Sequence, residues 1–433
     1  MILKKVIVVG AGPAGIFAAY ELADKFQVIV LEAEDYVGGA GLHSDGKLNY
    51  NPFIGGNLTE FVTEDQAWSL IFKIREVFRE LGVESSFHEE EQKRLEAHAV
   101  KSGLKFVKII QSHIGSDHLP RVMEGLKEKL ERKGVEIHLN TKATRILVED
   151  DKAFSVQTNQ GEFEADFFIL APGRAASNWL IEEMRRTGNG MSFNPIDIGV
   201  RIEVLNEVME EITYKFKCWD PKFHIYTPSY DDFVRTFCTC PRGFVVREAY
   251  GEGLFGVNGH SMRDTGSPNV NFALLTKISL TEPLENTTEY GRRIAQLSNT
   301  IGGGKPILQR LGDLRAHRRS TWERIKRSYV EPTLRDVTPG DISMAYPSRI
   351  VKNVLESLEI LDRVIPGVNS ESTLIYAPEI KFYAMHIQTD NHLRTRISNL
   401  YVAGDGAGIS RGIVGAAATG IIAARGIISQ ELV

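Results

Sequence analysis

The residues best suited by type and spacing to do chemistry lie near the start of the chain. Gly10-Ala11-Gly12-Pro13-Ala14-Gly15 follows directly on residues 4–9 (KKVIVV) and opens onto residues 16–23 (IFAAYELA). A run that is apolar and β-branched on both faces reads as a strand buried in a parallel sheet, and the residues behind the glycines are strong helix formers. Residues 27–31 (QVIVL) then read as a second strand ending at Glu32. In such a strand–turn–helix each glycine has its own task. The first permits the tight turn, the second lets the backbone approach a pyrophosphate, and the third lets helix and strand pack closely. The helix N-terminus offers free N–H groups and partial positive charge to the phosphates. Glu32, about 20 residues beyond Gly10, is spaced to accept hydrogen bonds from a ribose diol. The chemistry implied is binding of a dinucleotide.

Spacing alone does not carry that conclusion. Gly251-Glu252-Gly253-Leu254-Phe255-Gly256 has the same pattern, but the residues after it (VNGHS) lack helical periodicity, so it reads as a turn or strand edge. Gly302-Gly303-Gly304-Lys305 is no phosphate loop either. Asn299 stands where the first glycine belongs, and Pro306 replaces Ser or Thr.

The far end of the chain distinguishes between dinucleotides. Residues 398–403 (SNLYVA) form a short strand pattern, and Gly404-Asp405-Gly406-Ala407-Gly408 leads into a helix of small residues over 412–428. Repeated Gly and Ala on a helix permit close approach of another backbone or a flat ligand. The uncharged run 412–424 is shorter than the ~20 apolar residues a spanning helix needs, so no membrane segment is expected.

With these motifs in place, the sequence resembles the FAD-dependent oxidoreductases of the glutathione-reductase-like type. Three motifs stand in that family's order: the GAGPAG turn with Glu32, residues 167–174 (FFILAPGR) with Pro172 in place of the usual Thr, and residues 400–406 (LYVAGDG). Residues 38–48 (GGAGLHSDGKL), residues 235–241 (RTFCTCP) and the C-terminal run resemble, more narrowly, a bacterial and archaeal "FAD-dependent dehydrogenase" family. The resemblance implies FAD as cofactor. It implies contacts from Gly10, Gly12, Pro13, Ala14, Gly15, Glu32 and Ala33, and from Gly39, Ala40, Gly41, Ser44, Asp45 and Lys47. Ala171, Gly173, Gly404, Asp405, Gly406, Ile413 and Val414 complete the implied set. By the same resemblance Asp405 bonds the ribityl or pyrophosphate part, and the helix after Gly406 aims its N-terminus at the flavin's pyrimidine edge.

The elements that must position these residues follow. The expected class is α/β, a Rossmann-like FAD-binding domain with a parallel sheet and a small three-stranded antiparallel sheet, carrying an inserted α+β substrate domain. Residues 126–133 read as helix, 135–139 and 144–148 as strands, 154–158 with 162–165 as a hairpin, and 167–171 as a buried strand. The FAD domain is expected over 1–190 and 373–433, with residues 191–372 inserted as a substrate or cap domain and one cleft between the two domains. Within the insert, 197–204 (DIGVRIEV) and 243–247 (GFVVR) suggest a mostly antiparallel sheet, with helices at 321–326 and 347–364.

Composition narrows the function classes. Fifty-one Lys and Arg against 56 Asp and Glu give a net charge of −5, which speaks against a general nucleic-acid or anionic-membrane binder. Three cysteines cannot make a disulfide framework, and Met1 runs straight into the first strand without a signal-peptide pattern, so the expected location is the cytoplasm.

Other reactive residues admit two readings each. Cys238 and Cys240 alternate by two, so on a regular strand both thiols share a face; they read as a redox pair or as small buried hydrophobes. Lys47, with Ser44 and Asp45, reads as a flavin contact or as part of a solvated loop. The basic stretch Arg310, Arg315, Arg318, Arg319, Arg324, Lys326 and Arg327 reads as a solvated helix face or an anion-attracting patch. The aromatics of residues 379–383 (EIKFY) suit flavin stacking or core packing equally. Lone histidines such as His113, His118, His260 and His386 are read as structural, and no metal site is expected.

The resulting expectation is an oxidoreductase moving a hydride or electrons between bound FAD and a small molecule, with Cys238, Cys240 and Lys47 as catalytic candidates. No second nucleotide-binding unit is visible. NADH or NADPH would therefore be a transient reductant, or electrons would come from another protein or pass to a quinone or oxygen. The alternatives are a flavoprotein that modifies RNA through the basic stretch, and a non-catalytic flavin sensor or assembly protein.

Overall fold

Apolar runs separated by glycine turns stack into a parallel sheet in the first of two units. The computed structural model describes residues 3–44, 46–262, 264–281 and 285–432. One unit comprises residues 1–86, 109–194 and 383–433, the other residues 87–108 and 195–382. In the first, five strands lie in the order Leu400–Val402, Phe167–Leu170, Lys5–Val9, Gln27–Leu31 and Glu136–His138, all parallel. Phe167 to Leu170 and Val6 to Val9 are wholly buried, as a sheet covered on both faces requires. The small sheet of Ala143–Glu149, Lys152–Thr158 and Gly161–Glu164 is antiparallel and three-stranded. These features match the α/β class expected from the sequence.

Two helices dominate the core of this unit. Pro13–Leu22 and the 20-residue Gly412–Glu431 are apolar nearly all round, so both must be buried. Their contact is intimate because of small residues: a methyl group placed on Gly420 would sit 2.0 Å from the Ala14 carbonyl oxygen.

The second unit is built on an eight-stranded sheet. Its order is Thr338–Pro339, Ile307–Arg310, Leu374–Lys381, Ile196–Leu205, Asn269–Ile278, Phe233–Cys240, Lys222–Tyr226 and Lys105–Val107, and its pairings are antiparallel except at the first edge. Along Ile196–Leu205 the side chains alternate. Ile198, Val200, Ile202 and Val204 enter an apolar core shared with Ile294 of helix Thr287–Ile301 and with Ile350, Val354 and Leu358 of helix Ser348–Leu361. Asp197, Arg201 and Glu203 take the other face, and they too are buried.

Burial of those charges is compensated in detail. Arg201 donates from Nε and Nη2 to the two carboxylate oxygens of Glu379 at 2.7 and 2.6 Å, and from Nη1 to the Cys238 carbonyl and Asn271 Oδ1 at 3.0 and 3.1 Å. Lys381 adds a second cation 3.2 Å from Glu379. Arg201 and Lys381 hold the Glu379 carboxyl below the usual range against its desolvation.

Three expectations need correction or refinement here. The spacing of Cys238 and Cys240 does not set a common face, because Phe237 pairs with Ala273 and Cys240 with Asn271, leaving Cys238 and Thr239 in a bulge opposite one residue. Cys238 takes a left-handed φ of +50°, and Asp220 Oδ1 accepts the Thr239 N–H at 2.8 Å, pinning the bulge. The basic stretch is not one helix face. It forms two short helices, Leu311–Arg315 and Trp322–Ile325, around a buried Asp313 that accepts hydrogen bonds from Arg318 and Ser320 at 2.9 and 2.7 Å. The second Gly-x-Gly-x-x-Gly is the turn of a hairpin joining Phe244–Gly251 to Leu254–His260, as its lack of a following helix suggested.

Removing one partner of a buried ion pair leaves the other uncompensated, so Glu379→Leu should cost about 3–5 kcal/mol of unfolding free energy in urea titrations. The double change Arg201→Met with Glu379→Leu should recover most of that loss. A double variant no more stable than the single one would contradict the assignment.

Candidate cofactor site

Three turns meet at the carboxyl end of the parallel sheet, because the strands that lead into them are neighbours in the order Leu400–Val402, Phe167–Leu170, Lys5–Val9. Their glycines fall into two groups. Gly10, at φ +101°, has no room for a side chain, since a methyl there would lie 2.3 Å from the Ala171 carbonyl oxygen; at Gly15 it would lie 1.8 Å from that of Gly10. Gly406 would meet the Gly173 carbonyl oxygen at 2.5 Å. These residues let backbone pack on backbone. At Gly12, Gly173 and Gly412, in contrast, an added methyl would meet nothing within 4 Å. Space is open above one glycine in each of the three turns.

The helix Pro13–Leu22 begins at this opening. Gly12 caps it without a side-chain hydrogen bond, and no acidic residue lies in its first turn. Its leading N–H groups are therefore suited to an anion rather than occupied by the protein's own carboxylates. Residues 38–41 fold over the same turn: Gly38 N–H donates to the Ala11 carbonyl at 2.8 Å, and methyls on Gly39 and Gly41 would come 3.4 Å from Gly12 Cα and 3.2 Å from Pro13 Cγ. Gly41 also lies against Ile413, which with Val414 opens the C-terminal helix as part of the core. Ala40 lies within this short turn, and Ala14 faces Gly404.

Asp405 is held firmly. Its Oδ1 accepts from Ser410 Oγ at 3.0 Å and its Oδ2 from the Gly412 N–H at 3.2 Å, while Arg174 Nε approaches to 3.9 Å. Desolvation raises its proton affinity, and Arg174 and Arg411 oppose that rise.

Glu32 has a structural task. Its carboxylate accepts the Ala11 N–H at 2.6 Å and the Glu34 N–H at 3.0 Å, tying the glycine turn to the end of the second strand next to Ala33. Burial raises its carboxyl above the usual range, against those hydrogen bonds. Ser44 spends its hydroxyl inside its own loop, donating to the Gly41 carbonyl at 2.7 Å and accepting the Gly46 N–H at 3.1 Å. Asp45 lies outside the described residues. Lys47 begins the strand Lys47–Tyr50, paired with Ile110–His113. Of the two cysteines, Cys240 is buried and Cys238 half-buried, both on the second unit.

Sequence reasoning missed a clamp behind the third turn. Gly55, at φ +81°, accepts the Arg411 N–H at 2.7 Å, and a methyl on it would lie 2.0 Å from the Arg411 carbonyl oxygen. The Arg411 guanidinium lies 3.6 Å from the centre of the Tyr383 ring. Asn194 Nδ2 donates to the Ala384 and Gly408 carbonyls at 2.9 and 2.7 Å. The Gly55-Gly56 pair was the available signal.

Residues 5–181 match the family described as FAD dependent oxidoreductase, and residues 195–381 match the family described as FAD-dependent protein, C-terminal domain-like. An uncharacterized protein of Clostridium beijerinckii is 28% identical, over 98% of this chain and 80% of its own length. Among solved structures, L-proline dehydrogenase from P. horikoshii is similar with a TM-score of 0.44 at 12% identity, over 99% of this chain and 94% of that one. Glycine oxidase from Bacillus cereus is similar with a TM-score of 0.41 at 13% identity, over 99% and 95%. The two family matches identify FAD as the cofactor and FAD-dependent oxidoreduction as the activity.

The two groups of glycines should respond differently to substitution. At Gly12 the φ of −76° suits any residue, so Gly12→Val should change stability by no more than about 0.5 kcal/mol while reducing bound flavin. Gly15→Val must displace the Gly10 carbonyl and should lower both stability and flavin content. Thermal melts of apoprotein beside the flavin-to-protein absorbance ratio separate the cases; equal stability losses in both variants would refute the division.

Proposed function

We propose that this protein is a dehydrogenase or reductase of the glutathione-reductase-like superfamily, close to the "FAD-dependent dehydrogenase" family, acting on a small molecule in the cytoplasm. The observation that carries this reading is the open space above Gly12, Gly173 and Gly412 in three adjacent turns at the carboxyl end of a parallel sheet. In open α/β sheets that end is where ligands bind. The FAD domain, expected from the sequence over 1–190 and 373–433, is assigned to the first unit, residues 1–86, 109–194 and 383–433, and the substrate domain, expected over 191–372, to the second, residues 87–108 and 195–382.

In this reading the first N–H groups of the helix Pro13–Leu22 hold the pyrophosphate, with Gly10, Gly12 and Gly15 shaping the turn beneath it. Glu32 and Ala33 take the adenosine ribose, using the lone pairs that Ala11 and Glu34 leave available. Asp405 takes a hydroxyl of the ribityl chain, held in place by Ser410 and the Gly412 N–H. Gly39, Ala40 and Gly41 close over the turn, and Ala171, Gly173, Gly404, Gly406, Ile413 and Val414 line the remainder. Bound FAD supplies the hydride- or electron-transfer chemistry, so the protein's part is to bind, orient and exclude water.

Two measurements test this reading. Asp405→Ala should lower flavin affinity by about tenfold or more, equivalent to ~1.4 kcal/mol, with the protein still folded by circular dichroism. The as-purified protein should show a flavin spectrum that bleaches anaerobically with at least one of NADH, NADPH, a quinol or reduced ferredoxin. Full flavin occupancy in the Asp405 variant would overturn the site, and a flavin inert to every donor would overturn the activity.

A further inference from the structure

On the second unit, cross-strand partners form one row across the sheet: Lys105, His224, Arg235, Leu275, Gly199 and Glu379. Directly paired residues share a face, so these side chains stand side by side. The row changes character along its length. Glu379 is locked to buried Arg201, whereas Lys105 is exposed and His224 and Arg235 are half-buried.

The half-buried end has an aromatic floor. The Phe233 ring meets the His224 imidazole edge-on at 4.9 Å, and the Phe237 ring lies 5.1 Å from the Arg235 guanidinium and 5.4 Å from the Lys222 ammonium. Two of the three surrounding cations are matched by acids: Arg235 by Asp197 and Lys222 by Asp220, each at 2.6 Å. Lys105 has no ion-pair partner among the described residues, and the His224 ring makes no hydrogen bond among them. Burial, with Arg235, Lys105 and Lys222 nearby, pushes the imidazole down to about 4. At neutral pH it therefore presents one N–H donor and one acceptor. Neither ring nitrogen is sealed from solvent, so a ligand can reach the ring. What the imidazole lacks is a partner that carries negative charge.

We propose that Lys105, His224 and Arg235, floored by Phe233 and Phe237, bind the carboxylate of a small ring-bearing organic acid. The carboxylate takes charge-assisted hydrogen bonds from Lys105 and the His224 N–H, and its ring packs on the phenylalanines. One unmatched cation suits one negative charge, which favours a carboxylate over a doubly charged phosphate.

The test uses the FAD-loaded protein with ¹³C-labelled histidine, the His224 ring signal being identified by its loss in His224→Gln. Titration with benzoate should shift that signal saturably, and bound benzoate should raise the imidazole's titration midpoint, so that benzoate binds more tightly as the pH falls below neutrality. Acetate, which lacks the ring, should bind at least about fivefold more weakly. Lys105→Gln should weaken benzoate about tenfold, and Lys105→Glu should abolish its effect, both with flavin content and melting temperature unchanged, since Lys105 is exposed. A His224 signal unmoved by benzoate, or equal affinity in Lys105→Glu, overturns the site. Inorganic phosphate or NADH shifting the signal where benzoate does not overturns the carboxylate assignment.

Discussion

Contact of backbone with backbone is the constraint on which the candidate cofactor site depends. Gly15 lets the helix Pro13–Leu22 start directly above the Gly10 carbonyl, and Gly420 lets the helix Gly412–Glu431 lie against Ala14. Any side chain at either position would separate the helix from its support by more than an ångström. Because both seams are tight, the turn after Lys5–Val9 and the turn after Leu400–Val402 are brought to one end of the sheet, with Gly406 against Gly173 completing the set. The open positions at Gly12, Gly173 and Gly412 have meaning only against this background. Gly173 and Gly412 also need glycine for their left-handed φ of +71° and +80°, whereas Gly12, at φ −76°, has neither that need nor a crowded position, and there a glycine only adds unfolded-state entropy.

The second unit uses a different principle. Its sheet has one apolar face and one face rich in charge, and most of that charge is withdrawn from water. Arg201 survives complete burial because Glu379, Asn271, Asn258 and the Cys238 carbonyl satisfy its donors together. Such a network contributes rigidity and register more than net stability, since desolvation offsets much of the attraction. It also anchors the carbonyl of the bulge residue Cys238. Where the network ends, at Arg235, His224 and Lys105, the charges are no longer fully matched: Arg235 keeps Asp197, while Lys105 has no ion-pair partner among the described residues.

Much of the first unit was legible in the sequence because its signals are local. A both-faces apolar strand, a glycine turn and a helix of small residues each declare themselves within ten or twenty positions, and the observed strands Lys5–Val9, Gln27–Leu31 and Phe167–Leu170 lie where those patterns put them. What escaped depends on distant partners. The Cys238 bulge is pinned by Asp220, and nothing near Cys238 marks it, so the period-two argument for the thiols failed. Arg411 gains its place from Gly55 and Tyr383, from separate parts of the chain. Lys105–Val107 reads as an unremarkable tripeptide until it pairs with Lys222–Tyr226, and only that register places Lys105 beside His224. Lone histidines read together as structural, whereas His224 is defined by its neighbours across three strands.

The same reasoning limits what bulk charge can say. A net charge of −5 properly argues against a surface that gathers polyanions, because such binding sums over many cations. Recognition of one carboxylate needs a single cation left unmatched, held close to a hydrogen-bond donor in a partly desolvated place where each interaction is stronger than in water. Of 51 Lys and Arg, those on the basic stretch that composition makes most conspicuous include Arg318 and Arg324, which turn inward to a buried Asp313. Lys105, in no charged run at all, is the one that stands beside an imidazole with no hydrogen bond among the described residues. Local compensation, rather than charge density along the chain, therefore decides which cation is available to a ligand, and it becomes readable only once the register of the sheet is known.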